Sequence, residues 1–393
     1  MKIRKLARLL LAVAPVLAGC KGFWDTPSGN SGGGGTASGK FYVLNQQTSE
    51  IAGFSFAAGA TSLTSVTNSP YALGAIVPFS MAMSPNGGFL YLSSAAGIFV
   101  YSVNGSTGEL TLLNTGGAIA ADPAFTLAVD PSGGWLVEAV SGLSQVTAIP
   151  LDPTTGLLLN GGTPQRVNLP PTATAVQQVT TTRSGGTNSY VFVAMGTQGI
   201  ATIPFNASSS GNPFGAVKTI SPKNSGGGDL EVSVDLSRPV LYVGETAAVS
   251  GTSNTGGLRM FNIGANAALT EISGSPYSTG GVGPSAILPS TNYVYVSNKT
   301  VTGSNNGNIT AFAITTVGTA YSLTAVASGT ISAGVGTIGL AEDSKGTYIL
   351  AVNFGGSPDL SAFTITSTGA LKSYASPATG SDPVKAVSIV AAP

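Results

Sequence analysis

Short segments of alternating apolar and polar residues recur along the chain at intervals of about 45 to 55 residues. The clearest unit runs from Phe79 to Leu113 and reads FSMAMSPNGGFLYLSSAAGIFVYSVNGSTGELTLL. It holds four such segments, with turn-forming PNGG and NGSTG sequences after the first and the third. A period of two is typical of β-strands that bury one face. The repeat therefore predicts the four-stranded blades of a β-propeller.

The unit occurs seven times, most clearly in its second strand. The copies of this strand are FYVLN (from residue 41), FLYLSS (89), WLVEAV (135), YVFVAM (190), VLYVGE (240), YVYVSN (293) and YILAVN (348). A first strand precedes it in blades two to seven, but FYVLN has none, and the missing copy is the C-terminal VKAVSIVAAP. The sequence thus predicts an all-β fold, a single seven-bladed β-propeller over residues 40–393. We expect the C-terminal strand to pair into the first blade and close the ring, which leaves no open sheet edge there.

The N-terminal segment has the pattern of an export signal. Residues 1–20 read MKIRKLARLLLAVAPVLAGC, with basic residues first, an apolar stretch from Leu9 to Leu17, and small residues before Cys20. The segment is too short to span a bilayer as a mature helix. LAGC resembles the bacterial lipobox, which implies cleavage before Cys20 and its acylation. An ordinary signal peptide with an incidental cysteine is the alternative, but Cys20 is the only cysteine in the chain.

This pattern predicts how the chain is placed in a bacterial cell. We expect a signal peptide over residues 1–19, and a lipidated Cys20 with a Gly/Ser-rich tether over residues 20–39. Because Lys21 rather than an aspartate follows the cysteine, the resemblance favours the outer membrane or the cell surface. The expected partners are the membrane, through the lipid on Cys20, and a carbohydrate or protein ligand of the propeller.

Composition excludes several chemistries. The chain has no histidine, which excludes Ser-His-Asp triads and HExxH zinc sites, and one cysteine, which excludes an intrachain disulfide. Four of the 16 basic residues lie in the first twenty, so 12 remain against 16 acidic residues, and we expect no nucleic-acid partner. The acidic residues Asp229, Glu231 and Asp235 lack the spacing of a calcium loop. We expect no metal and no cofactor, so that any catalysis depends on carboxylates, Lys, Arg, Tyr or polar hydrogen bonds.

Seven positions end the predicted second strands and are expected to rim the central channel: Asn45, Ser94, Val140, Met195, Glu245, Asn298 and Asn353. The amides of Asn45, Asn298 and Asn353 are candidate ligand-binding groups for a sugar or a cation. Alternatively, Asn and Ser at strand ends bond to their own backbone. Glu245 is a candidate catalytic residue, because a carboxylate at this position needs a partner.

Glu138 is the second candidate catalytic residue. Its position is apolar in other blades, which have Leu92, Val193, Val243 and Val296 there. If Glu138 faces inward, its carboxyl must be hydrogen-bonded, paired or protonated; a register shift of one residue would turn it outward. Candidate basic partners, which are also candidate ligand-binding residues, are Arg183, Arg259 and Lys299.

The blades resemble the lactonase-type seven-bladed propellers, the 6-phosphogluconolactonase-like family, and more loosely the YVTN surface-layer repeats. The matching motifs are the LYLSS, YVYVSN and LYVGE strands, the SPNGG and DPSGG turns, the STGELT and STGALK hairpins, and the NSPYALGAIVP and GSPYSTGGVGP connections. The resemblance covers residues 40–393. It implies a propeller fold, with lactone chemistry at polar and charged groups near the channel, including histidine and arginine in the lactonizing branch.

Two functions remain open from the sequence. The preferred hypothesis is a lipid-anchored propeller that serves as a binding or scaffolding module for a carbohydrate or protein ligand. The alternative is a lactonase-like hydrolase or lactone-forming enzyme, with Glu245 or Glu138 as general base and an Arg or Lys stabilising the oxyanion. The channel discriminates between them, because an enzyme needs a concave pocket with converging charges, whereas a scaffold tolerates a channel filled with apolar side chains.

Overall fold

The computed structural model describes residues 37–57, 63–140, 143–170, 177–184, 188–247, 255–318, 320–374 and 385–392. The predicted signal peptide, Cys20 and most of the predicted tether lie outside these ranges. The described backbone forms strands and turns without an α-helix, apart from two short 3-10 segments, Asn114–Gly116 and Ala265–Ala267. Accordingly, none of the described segments is a helix with the length and apolarity needed to cross a bilayer.

The strands are numbered along the chain. In the described residues they are β1 (Ala37–Asn45), β2 (Glu50–Ala57), β3 (Thr64–Ser65), β4 (Tyr71–Ala72), β5 (Pro78–Met83), β6 (Phe89–Ser94), β7 (Gly97–Val103), β8 (Leu110–Leu112), β9 (Ala124–Val129), β10 (Trp135–Val140), β11 (Gln145–Pro150), β12 (Gln165–Asn168), β13 (Val179–Ser184), β14 (Asn188–Ala194), β15 (Ile200–Phe205), β16 (Lys218–Ile220), β17 (Asp229–Asp235), β18 (Val240–Glu245), β19 (Gly257–Ile263), β20 (Leu269–Glu271), β21 (Tyr277–Ser278), β22 (Val282–Pro289), β23 (Tyr293–Thr300), β24 (Asn306–Val317), β25 (Ala320–Glu342), β26 (Tyr348–Gly356), β27 (Leu360–Ile365), β28 (Leu371–Tyr374) and β29 (Ala386–Ala392).

These strands form seven antiparallel blades. Blade one has the order β29-β1-β2-β3, with β4 also paired to β2, and blades two, three and four are β5 to β8, β9 to β12 and β13 to β16. Blade five is β17 to β20, with β21 also paired to β19. Blades six and seven share the long strand β25, whose first part pairs with β24 as the outermost strand of blade six and whose last part pairs with β26 as the innermost strand of blade seven. The predicted seven-bladed propeller is confirmed.

The C-terminal strand closes the ring, as predicted. β29 pairs antiparallel with β1, from Lys40 opposite Ala392 to Asn45 opposite Ala386. β1 begins at Ala37, slightly before the predicted boundary. Pairing the two ends of the chain in one blade satisfies the backbone groups that an open edge would leave exposed.

Apolar layers between the blades form the core. The described residues contain seven buried clusters, one for each pair of adjacent blades including the pair of blades seven and one. Because successive residues point to opposite faces of a strand, Phe41 and Val43 pack against blade seven, whereas Tyr42 and Leu44 pack against blade two. Such layers hold each blade at a fixed position around the central axis.

A β-bulge recurs near the start of the innermost strands. In six blades, the register between the first and second strands shifts by one residue and leaves one residue of the first strand unpaired. The unpaired residues, from blade one to blade seven with blade four omitted, are Val387, Phe79, Phe125, Leu230, Ser285 and Ile338. Because a bulge adds one residue to the alternation, the residues on either side of it point to opposite faces of the blade.

Candidate functional site

A cavity of about 640 Å³ lies inside the ring and is lined by the first strands of the blades. All six unpaired bulge residues contribute to its wall, and blade four contributes Gln177 and Gln178, which precede β13. Three residues near the ends of second strands, Gln46, Lys299 and Phe354, complete one end of it. The start of each first strand lies beside the end of its second strand, so these residues surround the same mouth. The channel is therefore open at this mouth and is not filled by apolar side chains.

The mouth has an aromatic side and a polar side. In ring order from blade seven to blade six, its large or polar residues are Phe354, Gln46, Phe79, Phe125, Gln177 with Gln178, Glu231 and Lys299. The phenyl groups thus come from blades seven, two and three, whereas the charged groups come from the neighbouring blades five and six. Phe125 is 50% exposed and Phe354 is 37% exposed, although most phenylalanines of a folded protein are buried.

Glu231 is the one carboxylate among the described residues of the cavity wall. It directly follows the bulge in β17, and the residues at this place in the other bulged blades are Ser80, Thr126, Ala286, Gly339 and Ser388. Gly244 lies opposite it on β18, and a Cβ atom there would come within 3.3 Å of the Glu231 Cβ. Burial raises the pKa of Glu231 well above its ordinary value. A half-buried carboxyl with a raised pKa is suited to proton transfer.

Lys299 is the one cationic side chain among the described residues of the cavity wall. It lies on β23 of blade six, next to the blade that carries Glu231, and its side chain is exposed to solvent. The candidate site thus combines a proton-transfer group and a positive charge on adjacent blades. Of the basic residues named from the sequence, the structure brings Lys299 to the cavity.

The seven second-strand positions lie behind the channel wall. Each is at most 3% exposed, because the first strand of the same blade or its neighbour covers it. Asn298 donates from Nδ2 to Asn308 Oδ1 (2.8 Å) and to the Thr279 carbonyl (3.0 Å). Asn353 donates from Nδ2 to the Pro358 carbonyl (2.9 Å). These amides fasten turns, as in the alternative interpretation of the sequence.

The side-chain amide of Asn45 makes weaker hydrogen bonds than those of Asn298 and Asn353. Its Nδ2 donates to Glu50 Oε1 at a long 3.5 Å, and its Oδ1 has no hydrogen-bond partner among the described residues. Asn45 is fully buried. A ligand-binding role for Asn45, Asn298 or Asn353 stays a prediction.

Glu245 and Arg259 belong to a buried ion cluster in blade five. Arg259 is 2% exposed and donates from Nη1 to Asp229 Oδ2 (3.1 Å) and from Nε to Glu271 Oε1 (3.2 Å). Glu245 is fully buried, lies 3.7 Å from Arg259 Nε, and accepts a hydrogen bond from the Asn224 backbone N–H (2.9 Å). The structure therefore places Glu245 behind β17 rather than on the cavity wall.

Burial governs the pKa values in this cluster. Desolvation raises the pKa of Asp229 to about 7, although Arg259 opposes the effect. Desolvation also raises the pKa of Glu245. For Glu271, burial acts in the same direction, but the hydrogen bonds and charge of Arg259 outweigh it and lower the pKa. Lys223 pairs with Glu271 from the surface (3.2 Å), so the two fully buried carboxyls, Asp229 and Glu245, share the Arg259 guanidinium.

Glu138 lies in the interface between blades two and three. It is fully buried, and neither of its carboxyl oxygens has a hydrogen-bond partner among the described residues; the same holds for Thr147 Oγ1, which lies opposite it on β11. Desolvation first, and the charge of Asp122 second, raise the pKa of Glu138 to about 8. Asp122 forms an ion pair with Arg166 (2.7 Å). Glu138 is thus directed into the protein, away from the cavity.

The remaining predicted residues are less informative. Arg183 lies on β13, opposite Ser189, and its side chain is outside the described part of the structure. No group of three or more His, Cys, Asp or Glu residues that could hold a metal occurs among the described residues. Glu231 and the three phenylalanines of the mouth were not among the predicted site residues. A signal was present, because the aligned first strands put a charged residue in blade five where the other bulged blades have small ones.

Comparison with known proteins shows which propellers this one resembles. The model of the family "Lactonase, 7-bladed beta-propeller" matches residues 36–177. The structure is similar to the periplasmic gluconolactonase of Pseudomonas aeruginosa, with a TM-score of 0.65 and 16% identity over 90% of this chain and 99% of that one. The chain has a seven-bladed β-propeller fold similar to that of these proteins. A candidate 6-phosphogluconolactonase of Bacteroides fragilis gives a TM-score of 0.64 and 17% identity over 89% of this chain and 97% of that one.

The match to the family model covers only part of this propeller. The matched segment spans blades one to three, with Gln46, Phe79 and Phe125 of the mouth. Glu231 and Lys299 lie outside it. No curated protein sequence matches the chain. The chemistry of the charged side must therefore be argued from its own residues.

Proposed function

We propose that the lactonase-type propeller hydrolyses a lactone in its central cavity. The observation that carries the proposal is Glu231, a carboxyl with a raised pKa on the wall of an open cavity, with Lys299 on the next blade. The lactonase-like fold supports the same assignment. An open cavity with a carboxylate and a cation meets the requirement that distinguishes an enzyme from a scaffold with a filled channel.

Glu231 would act first as a base and then as an acid. Its carboxylate accepts a proton from water while the water oxygen bonds to the lactone carbonyl carbon. The carbonyl oxygen becomes an oxyanion, which the Lys299 ammonium group stabilises. The ring C–O bond then breaks, and Glu231 returns its proton to the leaving oxygen. The product is the hydroxy acid, and Glu231 is again a carboxylate.

Replacing Glu231 by glutamine tests this proposal. We expect kcat/KM for lactone hydrolysis to fall at least ~100-fold, because an amide cannot accept the proton from water. In the wild type, kcat/KM should rise with pH as Glu231 loses its proton, at a pH well above the ordinary range of a glutamic acid. Acid release from a panel of lactones measures both effects.

The matched control is Glu109→Gln, on the outer hairpin of blade two, which should keep full activity. Glu245→Gln and Glu138→Gln test the catalytic residues predicted from the sequence. Loss of activity in one of these two, with full activity in Glu231→Gln, would contradict the assignment of Glu231. If no lactone is hydrolysed by the wild type, the binding or scaffolding role for a carbohydrate or protein ligand becomes the better proposal.

We also propose that the protein is exported and anchored to the bacterial envelope through a lipid on Cys20. The support is the lipobox-like LAGC sequence and the position of the only cysteine. Cys20→Ser should move most of the protein from the membrane fraction to the soluble fraction, because the covalent anchor is lost. Fractionation followed by immunoblotting measures this, with Ser31→Ala in the tether as control. A Cys20→Ser protein that still sediments fully with membranes would contradict the anchor.

A further inference from the structure

The backbone conformation directs the phenyl groups to the aromatic side of the mouth. Phe79 and Phe125 are the unpaired bulge residues of blades two and three, and Phe354 follows the buried end of the second strand in blade seven. A bulge re-aims a side chain that regular alternation would turn to the other face. The structure thus exposes phenyl groups at one side of a cavity, where they contact whatever enters it.

Apolar side chains continue from these rings into the cavity. Below the mouth, the wall includes the aliphatic residues Met81, Leu127, Ile287, Leu340 and Ile389, of which all but Leu340 are at most 9% exposed. They come from five different blades and share the wall with Ser80, Thr126, Ser285 and Ser388, so they offer separate apolar contacts rather than a continuous apolar surface. An unbranched hydrocarbon chain would contact the phenyl groups of the mouth first and then these aliphatic side chains.

The polar side offers little charge for an anionic ligand. Lys299 is its one cation among the described residues, and the buried arginine of blade five, Arg259, is enclosed in its own carboxylate cluster. Phosphate groups are usually held by several donors, with arginine preferred. Glu231 would in addition repel a phosphate when it is ionised. The cavity is therefore poorly matched to a phosphorylated lactone.

We propose that the cavity takes a lactone with an aliphatic side chain, rather than a polyhydroxylated or phosphorylated one. The lactone carbonyl lies toward Glu231 and Lys299, and the side chain lies across Phe79, Phe125 and the aliphatic wall. This assignment rests on the proposed function, because it orients the substrate for attack at the Glu231 side. The hydroxyl groups of a sugar lactone would lose water where they lie against a phenyl group, although Gln46 is a polar side chain between Phe354 and Phe79.

A series of γ-lactones with unbranched side chains tests the assignment. Using the purified full-length protein, kcat/KM is measured for side chains of zero to six carbons, for glucono-δ-lactone and for its 6-phosphate. Each added methylene should raise kcat/KM about fourfold until the chain outgrows the apolar wall, since burying one is worth about 0.8 kcal/mol. Values that do not change with chain length, or a preference for either sugar lactone, would overturn the proposal.

Phe125→Ala should reduce kcat/KM for the hexyl lactone at least tenfold more than for unsubstituted γ-butyrolactone, mainly through KM. The control is Leu112→Ala, which removes an exposed apolar residue (42%) from the outermost strand of blade two. It should change neither value. Equal losses for both lactones in Phe125→Ala would show that the ring supports the fold rather than the side chain of the substrate.

Binding of 2-alkyl tetrahydrofurans to Glu231→Gln protein, measured by calorimetry, provides a readout that needs no hydrolysis. Affinity that increases with alkyl length supports the assignment of the ligand class, and affinity independent of length overturns it. If the wild type hydrolyses no lactone, the proposed function fails and the ether titration still decides the ligand class. If lactones are hydrolysed without chain-length preference, the proposed function stands and only the proposal for an aliphatic side chain fails.

Discussion

Arg259→Met is expected to lower the free energy of unfolding by about 3–5 kcal/mol at pH 8. Arg259 is the buried cation that faces Asp229, Glu245 and Glu271, and removing it leaves two fully buried carboxylates without a cation beside them. Without the guanidinium, the pKa of Asp229, already about 7, should rise further. The loss should therefore be smaller at pH 5, which lies closer to the ordinary pKa values of 3.8 and 4.5, so that keeping these carboxyls protonated in the folded protein costs less free energy. Urea unfolding at both pH values measures it.

Two further variants show whether the loss of unfolding free energy in Arg259→Met comes from the uncompensated buried charge or from lost packing. Arg166→Met removes an exposed ion pair, since the side chains of Arg166 and Asp122 are 48% and 33% exposed, and should cost no more than about 1 kcal/mol. Adding Asp229→Asn to Arg259→Met should recover a large part of the loss, because it removes one of the uncompensated charges. No recovery in the double variant would assign the loss to packing instead, for example to the contact of Arg259 with the Phe261 ring at 4.8 Å.

The β-bulge at Leu230 in β17 explains why Asp229 has a structural role and Glu231 lines the cavity. Regular alternation would put Asp229 and Glu231 on one face of the strand. The unpaired Leu230 between them places Asp229 opposite Glu245 and Glu231 opposite Gly244, on different faces. Asp229 therefore joins the ion cluster, and Glu231 reaches the channel. Two residues that are close in sequence, Asp229 and Glu231, thus contribute to the ion cluster and to the cavity wall, respectively.

The strands and the closure of the ring could be predicted because their signals are local. Alternating residues, as in FLYLSS, and turn residues, as in PNGG, specify strand and turn wherever they occur, and the unmatched VKAVSIVAAP could fit only the blade that lacked a first strand. The wall of the cavity could not be predicted in this way. A bulge depends on the pairing of two strands, and alternation read along one strand does not show it. Lys299 was selected as a basic residue, but only the fold places it on the cavity wall.

Burial changes the interpretation of the two glutamates selected from the sequence. Glu245 has a cationic neighbour and a backbone hydrogen bond, whereas neither oxygen of Glu138 has a hydrogen-bond partner among the described residues. At the equivalent position, Val193, Val243 and Leu92 pack in the apolar layers of other blades. A buried carboxyl that lacks such partners costs stability, and proteins retain such groups where they serve a function. The effect of the Glu138 carboxyl on the free energy of unfolding can be measured directly.

Glu138→Gln should make the protein more stable than the wild type at alkaline pH. The ordinary pKa of 4.5 rises to about 8 in the folded protein, so between these pH values only the unfolded chain loses this proton. The wild type should therefore lose about 1.4 kcal/mol per pH unit from this group over that range, or about 5 kcal/mol by pH 9, and nothing below pH 4.5. The glutamine side chain, which does not titrate, avoids this loss.

The difference in unfolding free energy between Glu138→Gln and the wild type should accordingly be small at pH 4.5 and grow to several kcal/mol at pH 9. Groups that titrate alike in both proteins cancel in this difference, so its slope isolates Glu138. Gln165→Ala, which replaces a side chain that does not titrate, should give a difference that hardly changes with pH. A flat difference for Glu138→Gln as well would show that the Glu138 carboxylate is compensated in the folded protein, and would contradict its raised pKa.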